Sequence, residues 1–172
     1  MRNLAATEFR RIKIALEDVN RRLALTRISG KVHQVDPEKR LLRLKLGQTS
    51  SGNPVLSPWV RWQEATAGGM RIHSQPAVGE QMDLVSASGT VGASSLAAPA
   101  TYDRDHAAPS KSSDTAVFER GGGRIELGPD GILLKGNVRA EGGVLTHDGV
   151  NVGKDHLHTG DDLDGITGPP EQ

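Results

Sequence analysis

Residues 116–152 consist of brief apolar segments separated by turns that contain glycine. The clearest segments are Val117-Phe118, Ile125-Glu126-Leu127 and Ile132-Leu133-Leu134, and the turns between them are Gly121-Gly122-Gly123 and Gly128-Pro129-Asp130-Gly131. A strand this short cannot bury its own side chains, so it must pack on other strands. Repeated strands of this kind predict a β-helix or a β-prism. Their irregular spacing favours three chains wound together over a solenoid made of one chain.

The composition limits the core that one chain could form alone. Of the 172 residues, 35% are hydrophobic and 3% are aromatic, whereas glycine and proline number 21 and 9. Such a chain is either partly disordered or buries its apolar surface between chains, and the strand periodicity favours the second alternative. The sequence contains no cysteine, which excludes disulfide bonds as a source of stability.

Residues 1–24 are predicted to form a helix. Apolar residues recur there with a 3-4-3-4 spacing, as in the a and d positions of a heptad repeat, and they are Phe9, Ile12, Leu16, Val19 and Leu23. Two heptads are too short for an independent coiled coil. The helix therefore either docks on its own domain or contacts a partner, and the sequence leaves both open.

A β pattern extends over residues 25–95. Leu42, Leu44 and Leu46 alternate with charged residues, as expected for a strand with one buried face. Other strands are predicted near residues 28–35, 59–62 and 81–85, with a turn at residues 36–39. Several short strands without a long helix between them predict a small OB-fold barrel. The following residues, 96–115, are expected to form a linker rich in Ala, Ser and Pro.

A pair of histidines lies near the end of the chain. His156 and His158 are two residues apart, so in an extended segment both imidazoles point to the same side. Two imidazoles make a poor metal site alone. If three chains met on a threefold axis, six imidazoles would surround one ion and fill an octahedral site.

The order of these segments resembles the central spike of contractile-tailed phages, the baseplate assembly protein V family. The resemblance covers nearly the whole chain, and its sharpest motifs are His156-Leu157-His158-Thr159-Gly160 and Thr167-Gly168-Pro169-Pro170. It implies a mainly β fold with an N-terminal helix, an OB-fold barrel and an intertwined trimeric β-helix that ends in a metal-bound apex. The corresponding segments are a helix at 1–24, an OB collar at 25–95, a linker at 96–115, a β-helical shaft at 116–152 and an apex at 153–172.

The same resemblance implies a function and a cofactor. The protein would be a homotrimer that caps the tail tube, contacts tail hub and baseplate proteins, and pierces the bacterial outer membrane when the sheath contracts. It would be made in the host cytoplasm and would occupy the distal tip of the tail in the virion. His156 and His158 from three chains would bind one iron ion per trimer.

Two other classes of function remain as alternatives. An OB-fold protein that binds nucleic acid would use the basic end of the chain, because residues 1–45 carry a net charge of +7 and residues 146–172 a net charge of −5. A metalloenzyme would need open coordination positions, which six imidazoles do not leave. No catalytic motif is recognisable, so we expect no enzymatic activity and no nucleic-acid partner. The acidic turn at residues 161–164 and the four isolated histidines (His33, His73, His106 and His147) are interpreted as surface or structural features.

Overall fold

The structure is a computed structural model that describes residues 4–153. The chain divides into two compact units, Met1–Ala108 and Pro109–Gln172, with the division inside the segment expected to be a linker. His156 and His158, together with the rest of the expected apex from residue 154 onwards, lie outside the described residues.

The first unit begins with helix α1, Leu4–Ala24. Ion pairs join residues three or four positions apart along the helix. Arg21 and Arg22 in its last turn complement the negative end of the helix dipole. None of its residues is buried. Within the part of the chain that the structure describes, no helix is long and apolar enough to cross a membrane.

Eight strands follow the helix in the first unit. They are β1 (Arg27–Asp36), β2 (Leu41–Gln48), β3 (Pro54–Leu56), β4 (Arg61–Trp62), β5 (Thr66–Ala67), β6 (Arg71–Ile72), β7 (Gln81–Val85) and β8 (Leu96–Pro99). Six of them form one sheet in the order β3-β2-β1-β7-β8-β4, whereas β5 and β6 form a separate hairpin. All pairs are antiparallel except that between β4 and β8.

The core of this unit lies on one side of the sheet. Eight hydrophobic residues are buried, and they are Val32, Leu42, Leu44, Val60, Trp62, Met82, Leu84 and Ala97. Leu42 and Leu44 are two residues apart on β2, so the alternation seen in the sequence places both side chains on the buried face. The predicted strands at 81–85 and along the leucine repeat are confirmed.

Two features of this unit differ from the sequence-based expectation. The sheet runs in an open order, and no closed barrel is found among the described strands. A single bridge between Leu42 and Val60 does bring the residue before β4 against β2. Residues 96–99, expected to begin the linker, form β8 instead, because Ala97 fills a place in the core between β7 and β4.

The described part of the second unit, residues 109–153, contains two small antiparallel sheets. One consists of β9 (Ala116–Arg120), β10 (Gly123–Gly128) and β11 (Gly131–Lys135), in the order β11-β10-β9. The other is a hairpin of β12 (Thr146–His147) and β13 (Val150–Asn151). These strands match most of the brief segments predicted for the shaft. A single chain forms them as an antiparallel meander.

Candidate assembly surfaces and metal site

The sheet of β9, β10 and β11 has one apolar face. Phe118, Ile125 and Leu134 lie directly opposite one another across the three strands, and Leu127 is paired with Ile132 beside them. Directly paired residues share a face of the sheet. All five side chains are exposed, from 41% for Leu127 to 71% for Ile132. We call this surface, formed by Phe118, Ile125, Leu127, Ile132 and Leu134, the apolar sheet face.

The opposite face of the same sheet carries ion pairs. The Arg124 guanidinium donates from Nη2 to Glu126 Oε2 and from Nη1 to Glu119 Oε2, each at 2.6 Å, and Nη1 also donates to the Pro109 carbonyl at 2.9 Å. The hydrogen bonds from Arg124 to Glu126 and Glu119 raise the pKa of Arg124. The two faces of the sheet therefore differ: one carries partly buried ion pairs beside Leu133, and the other is apolar and exposed.

A second apolar surface lies on α1. Phe9, Ile12, Leu16, Val19 and Leu23 form a stripe along the helix, and each is between 58% and 73% exposed. We call this stripe the helix seam. The helix contacts its own unit through its last turn, where the Arg22 guanidinium donates two hydrogen bonds to the Ser88 carbonyl at 2.9 and 3.0 Å. The seam itself is exposed in the single chain and does not pack on the OB domain.

Several basic side chains of the sheet are already paired within the chain. Lys31 Nζ lies 3.0 Å from Asp103 Oδ2 and 2.9 Å from Asp105 Oδ2. The hydrogen bond from Lys31 is the main reason that the pKa of Asp103 falls to about 2. Arg27 donates to the buried Asp83 carboxylate. Cations neutralised in this way are poorly placed to bind phosphates, so this surface does not favour the nucleic-acid alternative.

The two tryptophans have different surroundings. Trp62 is buried and donates from Nε1 to Glu64 Oε1 at 2.9 Å, whereas Trp59 is exposed and lies under the Arg43 guanidinium, which is 5.8 Å from the ring centroid. They therefore do not form a paired platform for stacking bases.

Three of the isolated histidines lie near carboxylates. His73 Nδ1 is 2.7 Å from Glu64 Oε1, a hydrogen bond that lowers the pKa of Glu64, and His106 Nδ1 is 3.4 Å from Asp103 Oδ1. His147 Nδ1 lies 3.6 Å from Asp148 Oδ2, which is too far for a hydrogen bond. Among residues 4–153, no three His, Asp or Glu side chains converge so that they could hold a metal ion. The predicted ligands, His156 and His158, lie beyond this range, so the metal site stays a prediction.

Comparison with known families identifies the six-stranded unit. Residues 28–99 match the model of the type VI secretion system/phage-baseplate injector OB domain. This part of the chain, 72 of its 172 residues, is thus an injector OB domain. The match confirms the resemblance over the OB domain, which ends after β8. No curated protein matches the chain. The matched domain is one that occurs in injectors of type VI secretion systems and phage baseplates.

Sequence reasoning missed two parts of this arrangement. It did not separate the two faces of the sheet, although alternation of Arg124 and Glu126 with Ile125 and Leu127 was a readable signal. It also missed the buried Asp83, whose Oδ1 accepts a hydrogen bond from Ser29 Oγ at 2.5 Å. This residue had no signal in the sequence, because its partners are more than 50 positions away.

Proposed function

We propose that this protein is the central spike of a contractile phage tail, a trimer that caps the tail tube and pierces the host outer membrane when the sheath contracts. The observation that carries the proposal is the apolar sheet face, which is exposed in one chain of a protein that carries an injector OB domain. Monomeric soluble proteins rarely expose a contiguous apolar surface of this kind, which marks a site where another surface binds.

The second unit would supply the shaft. Three copies of the sheet, with their apolar faces turned inward, would bury Phe118, Ile125 and Leu134 around a common axis and leave the Arg124 ion pairs in solvent. Pairing between chains would also protect the strand edges at β9 and β11, which are otherwise open to aggregation. A shaft closed in this way would be rigid enough to transmit the force of contraction.

His156 and His158 would hold a metal ion at the apex. Neutral imidazole is a suitable ligand for first-row transition metals, and three His-x-His pairs would supply six donors, enough for one ion. Iron is the ion that the family resemblance implies. Its role would be structural, since it would tie together three chain ends that would otherwise fray.

A matched pair of variants tests the shaft. Ile125→Asp places a charge on the apolar sheet face, whereas Leu133→Asp places the same charge on the opposite face of the same sheet. We expect the unchanged protein and Leu133→Asp to have a mass near three times 18.3 kDa by light scattering, and Ile125→Asp to dissociate. A compact monomer of the unchanged protein at micromolar concentration would contradict the proposal.

The location in the virion is tested by antibody labelling of purified particles. The label should lie on the tail axis at its distal tip, and particles lacking the protein should have an incomplete baseplate. If the protein were absent from particles and bound single-stranded DNA at physiological salt with sub-micromolar affinity, the OB-fold nucleic-acid alternative would replace the spike.

A further inference from the structure

We propose that three copies of α1 pack together through the helix seam as a parallel bundle, which forms a second site of association in addition to the shaft. The number of chains rests on the proposed function, whereas the occupant of the seam, further copies of this chain, is argued from the helix itself. The seam consists of Phe9, Ile12, Leu16, Val19 and Leu23, and all five side chains are exposed in the single chain.

The spacing assigns each seam residue to a heptad position. The step from Phe9 to Ile12 is three residues and the step from Ile12 to Leu16 is four, so Phe9, Leu16 and Leu23 occupy a positions and Ile12 and Val19 occupy d positions. Leucine at a combined with β-branched residues at d disfavours two-stranded coiled coils and favours three or four strands. The side chains of the seam are therefore suited to a bundle larger than a dimer.

The charges beside the seam fit a parallel arrangement. Glu8 occupies a g position and Lys13 the following e position, and these two positions meet across the interface when helices are parallel and in register. Rotation about a single threefold axis gives all three helices the same direction along that axis, so it excludes antiparallel packing. In the single chain Glu8 lies 3.6 Å from Arg11 and Lys13 lies 3.9 Å from Glu17. These pairs are exposed, so exchanging them for pairs between chains costs little.

The shortness of the helix does not prevent this packing. A helix of two heptads would not associate alone at micromolar concentration. Here the Arg22 side chain fixes the last turn of α1 to the Ser88 carbonyl of the OB domain. Once three chains are joined elsewhere, their helices are held at a high effective concentration, and a weak interface is then sufficient.

Two isoleucines of α1 provide a matched test. Ile12 belongs to the seam, whereas Ile14 occupies an f position on the opposite side of the helix, and the two are 62% and 60% exposed. The chain contains no cysteine, so Ile12→Cys and Ile14→Cys each introduce one thiol into the full-length protein. Neither substitution removes a core contact. Leu16→Cys, at a neighbouring a position, serves as a second seam variant.

The thiols are joined with a bismaleimide whose reach is shorter than the width of a helix, about 10 Å. Such a reagent spans the inside of a bundle but cannot connect outward-facing f positions. We expect Ile12→Cys and Leu16→Cys to form cross-linked chains at least about tenfold faster than Ile14→Cys at micromolar protein, because their thiols share one assembly.

The outcomes separate this inference from the proposed function. Fast cross-linking of the seam thiols in a protein with the mass of a trimer supports the bundle. If the protein is a trimer but the seam thiols react no faster than the thiol of Ile14→Cys, the bundle is overturned. The proposed spike function is then unaffected, and the seam binds a different protein, such as a tail hub component. A protein that remains monomeric overturns both.

Discussion

Replacing Gly89 with alanine should detach the end of α1 from the OB domain. Gly89 has a φ of +68°, and an added Cβ would lie 2.7 Å from both the carbonyl carbon and the Cβ of Arg22. No real side chain tolerates such a contact with backbone, so either the helix end or the loop that contains Ser88 must move. Either movement breaks the hydrogen bonds from Arg22 to the Ser88 carbonyl.

The expected loss of stability has two parts. A non-glycine residue in the left-handed region costs about 1–2 kcal/mol. The two hydrogen bonds from Arg22 contribute about 0.5–1.5 kcal/mol each, towards the lower end because they are exposed. Gly89→Ala should therefore lower the free energy of unfolding by about 2–4 kcal/mol. Gly52→Ala is the control. Gly52 has a φ of +84°, and no atom lies within 4 Å of the added Cβ. This variant should therefore lose only the cost of about 1–2 kcal/mol that a left-handed backbone imposes on a non-glycine residue.

Urea unfolding followed by tryptophan fluorescence measures this difference. The two tryptophans of the chain, Trp59 and Trp62, both lie in the OB domain, so the signal reports on that domain. Equal losses for Gly89→Ala and Gly52→Ala would show that the end of α1 does not rest against the loop at Ser88, and the argument for how the helix is held would fail.

Two further predictions concern a buried carboxylate and the metal. The hydrogen bond from Ser29, followed by those from Arg27, lowers the pKa of Asp83. Its ionised form thus stabilises the fold above the unfolded pKa of about 3.9, and this contribution is lost as pH falls through the lower folded pKa. In denaturant titrations Asp83→Asn should cost about 1.5–3 kcal/mol at pH 7, a difference that shrinks below about pH 4, whereas Asp18→Asn on the surface of α1 should cost less than about 0.5 kcal/mol. Elemental analysis should find about one transition-metal ion per three chains. Replacing His156 and His158 with alanine should remove the ion while the protein keeps the mass of a trimer in solution. A ratio of one ion per chain would exclude a shared site.

Much of the OB domain could be predicted because its signals are local. Period-two alternation on β2 identifies Leu42 and Leu44 as core residues, and Pro37 in the turn at residues 36–39 separates β1 from β2. The strand at Leu96–Pro99 could not be read in this way. Its residues are small, and Ala97 is buried because β7 and β4 lie on either side of it, which is a tertiary effect without a local pattern.

The sequence predicts that α1 and the sheet of the second unit carry apolar surfaces, but it does not predict what covers them. The heptad spacing of α1 identifies a stripe that must be covered, and short strands with glycine turns identify a sheet that cannot bury itself. Neither pattern distinguishes a contact within the chain from a contact between chains. That distinction needs the exposure of Leu16, Phe118 and their neighbours in the folded chain.

The two units differ in how far one chain can stabilise them. The first unit buries eight hydrophobic residues, whereas no residue between 109 and 153 is buried in the single chain. Hydrophobic burial is the main favourable term in folding, so the OB domain can fold in a monomer, but the second unit gains its apolar burial only when its sheet face is covered. The stability of the second unit should therefore depend on protein concentration and that of the OB domain should not. Under the proposed function, the OB domain would fold first and the second unit would complete its folding only on association.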